Sequence, residues 1–322
     1  MNKKRKAYIQ SCEISEIQTA KLGGYVQKFA IEGKSKALPV VICLHGGPGS
    51  PIPFSVGCRG LFPGFSDKFV MVYWDQLGCG INNRTIDDSF TVAHFVNMTV
   101  DLVREIRRQF PENKIFLFGM SWGSILALCS AVLVPELLDG AITCGQVIKA
   151  PMLSDSAFKA VETSNAPEKS KKLAMEWKAR RTELSLKEMM ALSKIIRKYT
   201  DGYNNSNAKA APVGDIIKGL LTSPDYRLKD FVAIVKNGYR KNQSLLREMA
   251  SADLSGELAR VRIPYHIFQG ETDIVTCTAD VVNAVTGLHN QNITCTVIPN
   301  TGHFPTESAM EQISAELSSR SC

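Results

Sequence analysis

Two kinds of hydrophobic spacing alternate along the chain. Short, unbroken apolar runs rich in β-branched residues occur at 39–44, Phe69–Trp74, Ile115–Phe118, Ala141–Cys144, Tyr265–Phe268 and Thr294–Ile298. Runs of that length and composition read as strands buried on both faces. Tyr25–Ile31 alternates more loosely and predicts an early antiparallel strand. Between the runs lie helical patterns. Thr91–Phe110 places Val92, Phe95, Val96, Val100, Val103 and Ile106 on one stripe, and Ser121–Val134 is apolar almost all round, so it predicts a buried helix. Strands alternating with helices predict an α/β fold with a mostly parallel central sheet and helices on both faces.

The alternation stops near residue 150. From Ala150 to about Ala259 the chain reads as charged amphipathic helices with a polar break at Asp201–Asn207, and no strand is convincing there. Strand and helix then resume to the end. The simplest organisation is a catalytic domain formed by 1–149 and 260–322, with 150–259 inserted as a helical cap. Such an insertion would lie over the carboxyl ends of the strands, where open α/β sheets bind ligands.

One strand runs directly into Gly119-Met120-Ser121-Trp122-Gly123, and the buried helix follows. This is the G-x-S-x-G elbow in its strand–turn–helix setting, which lifts a serine hydroxyl above the sheet. A serine hydroxyl is a poor nucleophile at neutral pH and needs an adjacent base. Of the five histidines, His303 follows the last strand directly, in Asn300-Thr301-Gly302-His303-Phe304, where a loop can bring an imidazole to the serine. His266 lies inside a strand and reads as a core residue. His94 sits at a helix start and His289 in a polar stretch. His45 precedes a glycine-rich turn and reads as a support for that loop.

The base needs a carboxylate to fix its tautomer. Asp273 lies just past the Tyr265–Phe268 strand, in the chain order serine, acid, histidine expected of this elbow. Glu271 is its rival, and Asp280 reads as opening the next helix. An oxyanion needs backbone N–H donors. Trp122, the residue after the nucleophile, supplies one. The loop His45-Gly46-Gly47-Pro48-Gly49 supplies the other, with Gly47 preferred and Gly46 as the alternative. The chemistry so predicted is acyl transfer to water, with no metal and no organic cofactor.

Composition narrows the setting. With 322 residues and 44% hydrophobic content, a large core is available. The formal charge of +7 comes partly from Lys3, Lys4, Arg5 and Lys6 and from the stretch Lys169–Arg181. No aromatic interleaving or known module accompanies those charges, so a nucleic-acid partner is not expected. No apolar segment follows the basic start, and no run of about 18 apolar residues occurs, so neither an export signal nor a membrane span is expected. The nine cysteines form an odd set without CxxC spacing, which suits free thiols and a cytoplasmic location.

These motifs together resemble the proline iminopeptidase family of α/β-hydrolases. The resemblance is carried by His45-Gly46-Gly47-Pro48-Gly49, Trp74-Asp75-Gln76-Leu77-Gly78-Cys79-Gly80, Gly119-Met120-Ser121-Trp122-Gly123, the Gly270/Asp273 pair and Gly302-His303, in that order. It implies the α/β-hydrolase fold and a cytoplasmic peptidase releasing an amino-terminal residue, often proline, from a small or short-peptide substrate. It also implies Ser121, Asp273 and His303 as the triad, with Gly47 and Trp122 as oxyanion donors. The chain departs from the family at Leu77 and Asn82, where arginine and serine are common, and at Met120, where glycine is frequent. The family's aromatic-rich Asn-His-Tyr-Phe segment, near the glutamates that hold the substrate ammonium, is not found. Glu162, Glu176, Glu183, Glu188 and Glu248 are available, but no motif selects among them, and each reads as a surface charge. Three functions therefore stand: an aminopeptidase, an esterase or amidase on small acyl compounds, and a non-catalytic ligand binder on the same scaffold.

Overall fold

Each apolar run forms a strand, and the period of two along each strand divides its residues between two cores. The computed structural model describes residues 3–51, 64–204, 223, 226–236 and 238–321. Strands β1 (Ile14–Leu22), β2 (Tyr25–Gly33), β3 (Val40–Leu44), β4 (Val70–Trp74), β5 (Ile115–Met120), β6 (Gly140–Cys144), β7 (Tyr265–Gly270) and β8 (Ile293–Ile298) form one sheet. Their spatial order is β1-β2-β4-β3-β5-β6-β7-β8. The β1–β2 and β2–β4 pairs are antiparallel, and every other pair is parallel.

On β3 and β5, Val40, Ile42, Leu44, Ile115 and Leu117 face one core, while Val41, Cys43, Phe116 and Phe118 face the other. Counting from the amino terminus, the helices begin with α1 (Lys3–Gln10), α2 (Phe65–Lys68), α3 (Val92–Gln109) and α4 (Trp122–Leu133). The predicted stripe of α3 and the apolar surface of α4 pack into the first core. The last helix, Glu307–Ser321, closes the second core with Ala309, Met310, Ile313 and Leu317.

Two elements lie where the sequence pattern gave no signal. β1 is an edge strand whose side chains are mostly exposed or half-buried, so it has no apolar run to read. It is joined to β2 by Gly23-Gly24, both at positive φ, a two-residue connection whose twist matches a hairpin. The basic residues at the amino terminus begin α1.

Between β6 and β7 the described residues form helices and no strand, apart from an isolated bridge between Asp253 and Lys149. Helices α5 (Asp155–Thr163), α6 (Glu168–Ala179) and α7 (Leu186–Tyr199) come first. Ser154 caps α5 by accepting from the Ala157 amide, and Ser185 with Glu188 forms a reciprocal capping box on α7. Phe158, Trp177, Leu192 and Ile196 give these helices a core of their own, which reaches the rest of the protein at Val275. Then follow α8 (Leu228–Val235), α9 (Gln243–Ala250) and α10 (Ser255–Ala259), and beyond them α11 (Thr278–Leu288) and α12 (Glu307–Ser321). Tyr239, Leu245, Met249 and Leu258 from the 226–259 stretch join the main core instead. Of the polar break read at Asp201–Asn207, residues 201–204 form turns, and 205–207 lie outside the described residues.

His266, read as a core residue, is buried on β7 and ties α12 to the sheet. Its Nδ1 lies 2.9 Å from Glu316 and its Nε2 2.8 Å from the Thr296 hydroxyl. Arg320 donates to the same Glu316 carboxylate at 2.7 Å. Burial pushes the His266 imidazole below its ordinary value, against the opposing pull of Glu316. Among the described residues, no helix is long and apolar enough to cross a membrane, and all seven described cysteines are free thiols.

Two expectations follow. Leu117→Ala, on a fully buried central strand, should cost about 2–5 kcal/mol, whereas Ile17→Ala on the exposed edge should cost well under about 1 kcal/mol; urea unfolding measures both. A histidine whose folded value is lowered favours folding above its unfolded value of 6.5, and that contribution is lost as pH falls through the folded value. Stability should therefore decline on acidification below about 6.5, and His266→Gln should flatten that part of the profile; thermal melts across pH 4–8 read it.

Candidate active site

Four loops from the carboxyl ends of β3, β5, β7 and β8 meet at one rim of the sheet. β5 ends at Met120, and Ser121 adopts φ 52 and ψ −120 before α4 begins at Trp122. A left-handed backbone at a residue other than glycine costs about 1–3 kcal/mol and persists only where its surroundings enforce it. Here the enforcement is close packing. A Cβ on Gly123 would lie 1.9 Å from the Leu44 carbonyl oxygen, and one on Gly119 would lie 2.5 Å from the Gly123 carbonyl oxygen. Only glycine permits α4 to approach β3 and β5 so closely. The Ser121 amide donates to the Cys144 carbonyl at 3.0 Å, which pins the turn to β6.

His303 and Asp273 reach this serine from the two loops after β8 and β7. His303 Nε2 lies 2.9 Å from Ser121 Oγ, and Nδ1 lies 2.8 Å from Asp273 Oδ2. Both residues are buried. An anionic carboxylate accepts, so Nδ1 carries the proton and Nε2 is free to accept from the serine hydroxyl. The structure thus brings together the three residues read from the sequence.

The carboxylate is held by five donors. Besides His303, Oδ2 accepts from the Thr276 hydroxyl at 2.7 Å and from Gln269 Nε2 at 3.1 Å. Oδ1 accepts from the Val275 and Thr276 amides at 2.8 and 3.0 Å. Burial alone pushes the Asp273 carboxyl up, but His303 and these hydrogen bonds outweigh it and leave it below the usual carboxylate value. The rival Glu271 is exposed and accepts from the Asn300 amide at 2.9 Å, bracing the neighbouring loop. Asp280 lies in the first turn of α11.

The glycine-rich loop lies against the elbow. A Cβ on Gly46 would be 3.2 Å from both Ser121 Cβ and the Met120 carbonyl oxygen, and Gly47 has φ 120. His45 is fully buried at the base of this loop. Its Nδ1 is 2.8 Å from the Gly46 carbonyl, and Nε2 accepts from the Gln76 amide at 3.0 Å. Burial holds its imidazole down at about 4, so it is neutral at physiological pH. Trp122 is the first residue of α4, where helical geometry leaves the backbone N–H without an acceptor within the helix.

Side chains outside the sequence reading complete the site. The Tyr203 ring packs edge-to-face on His303, with centroids 5.7 Å apart, and its hydroxyl is 2.8 Å from Ser193 Oγ. The His303 and Phe304 amides donate to the Gly202 and Tyr203 carbonyls at 2.9 and 3.0 Å. A lone aromatic inside a polar break was the available signal for Tyr203. Gln269, a polar residue closing an apolar strand, and Thr276, three positions after Asp273, were legible in the same way. Of the five glutamates noted in the sequence, Glu188 pairs with Arg180 and caps α7, and Glu248 accepts from the Val92 amide at 2.8 Å. Glu162, Glu176 and Glu183 are exposed. Among the described residues, no cluster of histidine, cysteine, aspartate or glutamate is arranged to hold a metal ion.

Similarity to known proteins agrees with this architecture. Residues 39–308 match the family described as alpha/beta hydrolase fold. A probable aminopeptidase of Bacillus subtilis is 24% identical over 81% of this chain and 82% of its own length. A proline iminopeptidase of Neisseria gonorrhoeae is 36% identical over 40% of this chain and 42% of its own. Among solved structures, a proline iminopeptidase of Mycobacterium smegmatis superposes with a TM-score of 0.61 at 18% identity, covering 94% of this chain and 97% of that one. A thermostable carboxyl esterase of Bacillus coagulans gives 0.59 at 17%, covering 95% and 97%. At such identities the structural likeness is one of fold. The family match spans most of the chain and includes every loop that contributes to the site, so this protein belongs to the α/β-hydrolase fold family and resembles its proline iminopeptidase branch.

Proposed function

We propose that this protein is a serine hydrolase acting through an acyl-enzyme, with Ser121 as nucleophile, His303 as general base and Asp273 as the orienting acid. The observation that carries the reading is the continuous hydrogen-bonded chain from Ser121 through His303 to Asp273, with contacts of 2.9 and 2.8 Å. In the acylation step His303 takes the Ser121 proton as Oγ bonds to the substrate carbonyl carbon. Asp273 stabilises the imidazolium that forms. The amides of Trp122 and Gly47 hold the oxyanion. The imidazolium then protonates the leaving group, and a water activated by the same imidazole releases the acyl group.

The leading substrate class is a peptide or amino-acid amide with a free amino terminus, in keeping with the aminopeptidase and proline iminopeptidase names among the relatives. In this reading, residues 150–259 form the cap over the site, supported by the way Gly202 and Tyr203 overlie His303. The free thiols suit a cytoplasmic location. A second reading, an esterase or amidase on small acyl compounds, is favoured by one observation. Glu188 and Glu248 are engaged in helix caps, and the other three glutamates noted are exposed. A substrate ammonium would need a desolvated carboxylate facing Ser121.

A fluorophosphonate probe should label the wild-type protein and leave Ser121→Ala unlabelled; labelling of that variant would refute the assignment. Asp273→Asn should lower kcat by about 10³–10⁴-fold while leaving KM nearly unchanged, as read by steady-state kinetics. Proline, alanine and leucine arylamides assayed beside short-chain aryl esters separate the two substrate readings. The aminopeptidase reading expects arylamide turnover, and ester turnover alone would demote it.

A further inference from the structure

The motif Trp74-Asp75-Gln76 contributes no group to the chain Ser121–His303–Asp273, yet Gln76 is fully buried beside both elements read as the oxyanion pocket. Its four polar groups are all engaged, the backbone carbonyl by the Cys79 amide at 3.2 Å. Its amide N–H donates to His45 Nε2 at 3.0 Å, and its side-chain Nε2 donates to the His45 carbonyl at 3.1 Å. Its Oε1 accepts from the Trp122 indole N–H at 2.8 Å. These partners leave no freedom of assignment. The indole can only donate and a carbonyl can only accept, so the Gln76 amide has a single orientation. Because His45 Nε2 accepts, its proton sits on Nδ1 and donates to the Gly46 carbonyl at 2.8 Å.

The consequence is a buried bridge with two ends. One end holds His45 and, through it, the Gly46 peptide. The other holds Trp122, whose backbone amide opens α4. The glycine-rich loop also lies against Ser121, since a Cβ added to Gly46 would be 3.2 Å from Ser121 Cβ. Two amides can share one oxygen only if the gap between their elements is held to within a few tenths of an ångström, since hydrogen bonds weaken steeply outside about 2.7–3.2 Å.

We infer that Gln76 is a positioning residue that sets the distance between the glycine-rich loop and the first turn of α4, and so the fit of the oxyanion pocket to the transition state. The inference rests on the reading of Ser121 as nucleophile and of Gly47 and Trp122 as oxyanion donors. The hydrogen bonds of Gln76 go to His45, Trp122 and Cys79 and not to His303 or Asp273, so its effect falls on oxyanion binding and not on proton transfer.

Gln76→Leu keeps the approximate volume and removes both side-chain hydrogen bonds. Trp122→Phe removes the indole end alone and carries the test if the first variant does not fold. The probes are p-nitrophenyl acetate for turnover and butylboronic acid for affinity, because its tetrahedral adduct on serine places an oxygen in the pocket. For Gln76→Leu we expect kcat to fall by about 10–100-fold, below the loss seen when a whole oxyanion donor is removed. KM should stay within about twofold, boronate affinity should fall in step with kcat, and the pH profile of kcat should be unchanged. For Trp122→Phe the same pattern should appear at smaller amplitude. A folded Gln76→Leu with wild-type kcat and boronate affinity overturns the inference. So does a loss of kcat with boronate affinity retained, or a shifted pH profile. Ser121→Ala serves as the control. If it is inert to both probes while Gln76→Leu behaves as wild type, only the bridge is refuted. If Ser121→Ala matches wild type, the reading of the site fails and the inference with it.

Discussion

The approach of α4 to the middle of the sheet is the constraint on which the site depends. Helix and strand come so near at Gly123 that the Leu44 carbonyl occupies the space a side chain would need. That contact makes the connection from β5 to α4 a turn too tight for relaxed geometry, and Ser121 takes up the strain at φ 52. The return is positional. The hydroxyl is brought within 2.9 Å of His303 at the strand ends, and the loop after β3 lies against the elbow. Strain is tolerated because the cores on both sides of β3 and β5 fix the backbone independently of it.

The order of strands turns that local constraint into a site. β5 lies beside β3 in the sheet, so the loops after these two strands are neighbours although some 70 residues separate them in sequence. β7 and β8 close the same side and bring Asp273 and His303 from the far end of the chain. Asp273 is buried with donors on both oxygens, and it therefore stays an acceptor for His303 despite the cost of burial. His45 shows the opposite outcome. It too is buried, but its nearest polar contacts include no carboxylate, and it is held neutral as a fixed hydrogen-bonding link.

Much of this could be read from residues alone, and the reason is physical. Strands buried on both faces must be apolar throughout, so β3 to β7 stood out as unbroken runs; β8 was read the same way, but it is the opposite edge strand, with Thr294 and Val297 exposed. The elbow, the glycine-rich loop and the positions of Asp273 and His303 were legible because close backbone approach and chain order leave few residue choices. β1 was not legible, because an edge strand facing solvent carries no such run. Tyr203 and Gln76 were not read as site residues because their roles lie in contacts between distant segments, whereas Thr276 holds Asp273 from three residues away. The sequence pattern marks 150–259 as one helical insertion. It does not reveal that the helices of 150–204 carry a core of their own while residues 239–258 share the main one.

That division has a mechanical consequence. Among the described residues, the lobe of α5–α7 meets the Asp273 and His303 loops, where the Met152 amide donates to the Val275 carbonyl, the Thr272 hydroxyl to the Asp201 carbonyl and the His303 amide to the Gly202 carbonyl, and Ala250 packs on its core. The later stretch is anchored elsewhere, with Asn242 donating to the Asp87 and Phe90 carbonyls and Glu248 capping α3. Force applied to that lobe is therefore transmitted to the loops that carry Asp273 and His303.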